Sequence, residues 1–135
     1  MAVITTPMLS DSSDSLLRFA LRLDGTLCAA VGLLTAMAAD PLARLSGLSA
    51  TAEWFAGALL VVWGSTLYVL AAGGPIRRIG TGVLVGNLIA TAAVLGVLAA
   101  GVLPLTAAGN VLVLAVMAVG MGCAWLQYLG VRRLA

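Results

Sequence analysis

Residues 79–100 read IGTGVLVGNLIATAAVLGVLAA. The stretch is apolar on every side, rich in Gly and Ala, and long enough to cross a bilayer as one helix. Gly82 and Gly86 stand four apart, so they share a helical face on which a neighbouring helix can approach closely. Asn87 sits beside that face. The spacing predicts a membrane-spanning helix at the centre of a small bundle.

Composition extends this reading to the whole chain. Of its 135 residues, 62% are hydrophobic, and the mean hydropathy is +1.15. A soluble domain of this size has too little interior to hide that much apolar surface, so lipid is the expected solvent. Four spans fit, at about residues 16–39, 52–72, 79–100 and 105–129, behind a polar lead of residues 1–15. With short loops they fill the chain, leaving no room for a separate soluble domain. The expected fold class is an all-α membrane protein, a four-helix up-down bundle with both termini cytoplasmic.

The boundaries are read from local chemistry. Asp14 or Ser13 is the expected N-cap of the first span. Arg18 and Arg22 are expected to snorkel to the headgroups, because the uncharged part of that span is too short to cross alone. Asp40-Pro41 is expected to end it. A short interfacial segment follows, with Thr51 as the cap of the second span and Glu53 in its first turn. Gly73-Gly74-Pro75 and a basic Ile76-Arg77-Arg78 loop precede the third span. A cleaved signal ending at Ala36-Met37-Ala38 competes for the first segment, but Asp24 and the polar lead argue against it.

Charge supplies the orientation. Arg18, Arg22, Arg77, Arg78, Arg132 and Arg133 all fall on one side of four spans, and Arg44 alone falls on the other. The positive-inside rule puts the arginine-rich side in the cytosol and the chain in the cytoplasmic (inner) membrane. The arginines come as short flanks to apolar runs, which gives nucleic-acid binding no support.

Small residues recur seven apart: Gly25/Gly32/Ala39, Gly57/Gly64/Ala71, Gly86/Ala93/Ala100 and Ala108/Ala115/Gly122. Such stripes suit left-handed packing at about +20°. The candidate helix-packing residues are Gly57, Gly64, Gly82, Gly86, Asn87 and Gly122. Gly82-x-x-x-Gly86 also suits a homodimer contact.

Asp24 is the one acid placed below the headgroups, nearer the cytoplasmic edge. An ion pair with Arg22, Arg77 or Arg78 is the expected partner, and a proton- or cation-coupling site is the functional alternative. Asn87 lies nine positions past Arg78, about 13 Å deep by helical rise, where it needs an interhelical partner. Gln127 is expected to bond backbone carbonyls. Cys28 and Cys123 both fall within spans, as buried thiols or as a pair. The chain has no His, no phosphate-binding loop and no second intramembrane acid, so no catalytic, cofactor or metal residues are assigned.

Arg22-x-Asp24, Gly86-Asn87 and the ending Gln127-Tyr128-Leu129-Gly130-Val131-Arg132-Arg133 resemble a group of small four-helix integral membrane proteins common in actinobacteria. The resemblance runs from about Leu16 onward. It implies a topology and no activity, and Ala90 stands where that group would carry an aromatic. The small multidrug transporters are similar in size and span count, but their hallmark is a Glu well inside the first helix. The expected function is an accessory or scaffold role through helix–helix association with itself or another membrane protein, among lipids. The alternative is a small oligomeric transporter or channel whose path is lined by Asp24 and Asn87.

Overall fold

The computed structural model describes residues 7–135, with side chains from residue 14 onward. Five helices follow one another: α1 (Pro7–Met37), α2 (Ala39–Ser46), α3 (Ala50–Leu70), α4 (Ile76–Ala100) and α5 (Ala107–Arg133). All but α2 are long and apolar enough to cross a membrane. No strand occurs among the described residues.

The boundaries depart from expectation for local reasons. Helix α1 runs from Pro7, so Ser13 and Asp14 lie within the helix and not at its N-terminus. The part of the expected polar lead before Pro7 lies outside the described residues. The break after α1 falls at Ala38, ahead of Asp40-Pro41. Pro41 sits in the first turn of α2, where its missing N–H has no intrahelical acceptor to lose. Ser49, not Thr51, caps α3 by accepting from the Ala52 N–H at 3.1 Å. Arg77 and Arg78 form the first turn of α4 rather than a loop. Helix α2 ends on Gly47 with φ +86. An added Cβ there would also strike the Pro104 carbonyl, so both the backbone and the space call for glycine.

Helix α1 is the hub. It packs on α3, α5 and α4, while α4 and α5 pack on each other. The closest contact joins α1 to α3. A Cβ on Gly25 would lie 2.6 Å from the Gly64 carbonyl, and one on Gly32 would lie 2.5 Å from the Gly57 carbonyl. The pairing 25 with 64 and 32 with 57 makes the two helices antiparallel, backbone against backbone. The seven-residue stripes on α1 and α3 therefore form one interface. Van der Waals packing of this kind is what holds helices together where lipid supplies no hydrophobic force.

The other glycine stripes behave differently. A Cβ added to Gly82, Gly86, Gly96, Gly120 or Gly122 would meet nothing within 4 Å. Three of these, Gly82, Gly86 and Gly122, are among the six expected packing residues. Helix α4 is not the buried centre of the bundle but its least buried long helix. Its role passes to α1 because α4 packs chiefly along α5.

The bundle is closed at one end. Leu17, Leu21, Leu67, Ala71, Ile76 and Val83 form the buried apolar core. Leu17 fills a notch between Gly80 and Gly130, whose Cβ positions would fall 2.7 Å from its Cδ2 and 2.8 Å from its Cα. Arg18 tightens the same end: its guanidinium donates to the Ala71 and Gly73 carbonyls at 2.7 and 2.9 Å. Those are carbonyls at the C-terminus of α3, where a cation is favoured. At the far end, Ser46 donates to buried Glu53, and the Thr106 N–H donates to the Ser46 carbonyl at 2.8 Å. This ties α2 to α3 and to the cap of α5. Beyond the core they share at the closed end, helices α3 and α4 make little contact, and the bundle gapes between them.

Gly57→Val forces a side chain into the α1 backbone, since the Cβ alone would fall 2.5 Å from Gly32 O and Ala36 N. It is expected to destabilise the fold by about 1–3 kcal/mol. Gly86→Ala meets open space and is expected to be neutral or to stabilise by up to about 1 kcal/mol through helix propensity. Denaturation of both variants in detergent micelles checks the contrast.

Candidate functional site

Above the closed end, three helices send polar side chains to one point. Asp24 of α1 is 3% exposed and Gln127 of α5 is fully buried. Gln127 Nε2 donates to Asp24 Oδ2 at 2.6 Å. Asn87 Nδ2, from α4, donates to the same Oδ2 at 3.1 Å and to Gln127 Oε1 at 3.2 Å. Cys28, one turn along α1, turns its thiol to Asp24 Oδ1 at 3.4 Å, a weak bond.

Helix register explains the convergence. Leu17 meets Gly80 and Gly130. Seven residues along α1 and α4, the next layer brings Asp24 to Asn87, and Gln127 lies three residues back along antiparallel α5. The glycines of the first layer bring the helices close enough for short carboxamides to reach the acid in the second. Asp24 thus lies level with Asn87, about 9 Å past Arg18 by helical rise, where the sequence placed the two at different depths.

Several expectations change. Asp24 pairs with no arginine: among the described residues the one ion pair joins Arg18 to Asp14 at 3.7 Å. Arg22 and Arg78 are exposed, because an exposed guanidinium at the membrane edge keeps its hydration. Gln127 bonds the acid, not backbone carbonyls. A signal for it was present. The chain has only three carboxamide side chains, Asn87, Asn110 and Gln127, and a buried acid in lipid draws on the donors within reach. Cys28 and Cys123 are free thiols, and Asn87 has the interhelical partners expected of it.

The acid–amide layer is the floor of a cavity of about 360 Å³. Its walls come from all four long helices. They include Leu27 and Val31 of α1, Leu60 and Trp63 of α3, Ala90, Thr91 and Val94 of α4, and Met117 of α5. The cavity lies in the gap between α3 and α4. Apart from Asp24, Asn87 and the Thr91 hydroxyl, the lining is nearly all apolar. Among the described residues no three His, Cys, Asp or Glu side chains gather as a metal site would require.

The chain matches no family model, no curated protein and no solved structure. What the fold and site define is an all-helical protein with four helices fit to cross a membrane and an acid–amide cluster under an apolar cavity.

Interhelical hydrogen bonds in membrane proteins average about 0.6 kcal/mol and reach about 1.7. Gln127→Leu and Asn87→Leu each remove a donor from Asp24. Each is expected to lower stability by about 1–2 kcal/mol, and the double variant to fall short of the sum, since the amides also bond each other. A double-mutant cycle in detergent measures that coupling.

Proposed function

We propose that this chain is a four-span protein of the cytoplasmic membrane, with both termini in the cytosol, that binds and moves a small solute through the cavity above Asp24. The observation that carries the reading is the acid itself. A carboxylate in the middle of a helix costs roughly 2.5–3.5 kcal/mol on the insertion scale, and intramembrane acids mark solute and proton pathways. Asp24 is buried against two amides and neutralised by no cation among the described residues. It faces a ligand-sized space rather than close packing. A purely structural acid is better served by an arginine, and six stand at this end of the bundle.

The gathering of those six arginines supports the cytoplasmic placement of both termini. Because Asp24 and Asn87 sit on the cavity floor, the small-transporter reading outranks an accessory or scaffold role. One observation keeps the scaffold reading second: Gly82 and Gly86 present an open face on α4, to which a helix of a second copy or another membrane protein could dock.

Asp24→Asn, in proteoliposomes under an imposed pH gradient, is expected to abolish proton-linked flux, read by a trapped pH-sensitive dye, with the gel-filtration profile unchanged. Unaltered flux, or loss of assembly alone, would return the acid to a structural role. An impermeant thiol label reaching a C-terminal cysteine tag from outside intact cells would overturn the orientation.

A further inference from the structure

The cavity has a floor of one electrical character. Asn87 Nδ2 donates to Asp24 and to Gln127 at 3.1 and 3.2 Å, and Gln127 Nε2 donates to Asp24 at 2.6 Å. The amide donors are thus turned inward, onto the acid and onto each other. Cavity-lining Asp24 and Asn87 are left with acceptors in reserve. Asp24 Oδ1 receives only the weak Cys28 thiol, and Asn87 Oδ1 receives no hydrogen bond among the described residues. A ligand that supplies donors fits this floor; the donors open to an acceptor, the Thr91 hydroxyl and the Trp63 indole N–H, stand on the walls and not beside the acid.

Charge and size narrow the class. When ionised, the acid is solvated by the two amides and neutralised by neither, and in a low dielectric such a charge draws an opposite one strongly. A bare metal ion is poorly served by one acid, amide oxygen and apolar walls, since hard cations take six or more oxygens. The space of about 360 Å³ is more than twice the roughly 150 Å³ that holds benzene in an engineered cavity. It has room for a two-ring or comparable aliphatic body against Leu27, Leu60, Trp63, Val94 and Met117. The cavity lies where α3 and α4 fail to pack, so an apolar body has a lateral way in from the lipid.

We propose that the cavity binds a lipophilic primary ammonium, its N–H groups on Asp24 and Asn87 and its apolar body between α3 and α4. This rests on the reading of the cavity as a solute site and names its ligand class.

The probe is 1-naphthylmethylammonium, titrated by calorimetry against the full chain in nanodiscs, with empty nanodiscs subtracted. Two analogues separate the contributions: uncharged 1-naphthylmethanol, and the trimethylated ammonium, which keeps the charge and loses the N–H donors. Saturable one-site binding is expected, at least 10-fold weaker for the alcohol and several-fold weaker for the trimethyl analogue. Asp24→Asn is expected to weaken the ammonium at least 10-fold. Ala90→Phe fills the cavity without touching the acid, and is expected to remove binding of all three compounds. It keeps the test valid if Asp24→Asn does not fold.

Equal affinity for ammonium and alcohol would overturn the proposal and leave a plain apolar slot. Binding that survives Ala90→Phe would overturn it as partition at the protein–lipid boundary. Specific binding without proton-linked flux keeps the ammonium site and removes the transport reading. Asp24-dependent flux that the ammonium neither drives nor inhibits removes the ligand class and keeps transport.

Discussion

One carboxylate oxygen governs the assembly. Asp24 Oδ2 accepts from α4 and from α5 while belonging to α1, so three helices meet at a single atom. In lipid the acid has little water to fall back on, and each missing donor costs about 1–2 kcal/mol. That penalty fixes register. Sliding α4 or α5 by one residue turns its amide away from the acid, and it also moves Gly80 or Gly130 out of the Leu17 notch. The cluster is worth little as a sum of bonds and much as a discriminator among arrangements of four similar oily helices.

The rest follows from the spacing this layer requires. Short carboxamides reach an acid only if backbones are near. Leu17 in the notch of Gly80 and Gly130 brings α4 and α5 onto α1 just below the cluster, and the Gly25–Gly64 and Gly32–Gly57 contacts bring α3 onto the other side. Arg18 locks the same end by binding the Ala71 and Gly73 carbonyls, just past the end of α3. With α1 occupied on both flanks, α3 and α4 stay apart. The gap is a consequence of the packing, and the polar layer becomes its floor. Tight closure at the arginine-rich end and an open middle are the geometry on which the proposed solute site rests.

Some of the site was legible in the sequence and some was not. Asp24 and Asn87 stood out because a polar side chain in a 20-residue oily run must have a reason to be there. Their mutual contact was hidden, since depth counted from the flanking arginines put them at different levels. Gln127 reads in the sequence only as a donor to backbone carbonyls, whereas it is fully buried against the acid. The glycines show the limit most clearly. Gly57 and Gly64 carry the closest helix contact, while Gly82, Gly86 and Gly122, equally good by spacing, face open space.

Composition and periodicity by themselves determined that this is a helical chain, with four segments able to cross a membrane, their turns marked by Gly and Pro and their arginines gathered at one end. Those properties depend on the solvent a segment needs and on backbone rules local to a few residues. The tertiary structure alone decided which glycine stripe meets which, that α1 rather than α4 is the hub, and that the acid answers to two amides instead of an arginine. Small-residue faces in lipid are nearly interchangeable in energy. The choice among them falls to a few directional hydrogen bonds between residues as far apart as Asp24 and Gln127, which no local pattern encodes.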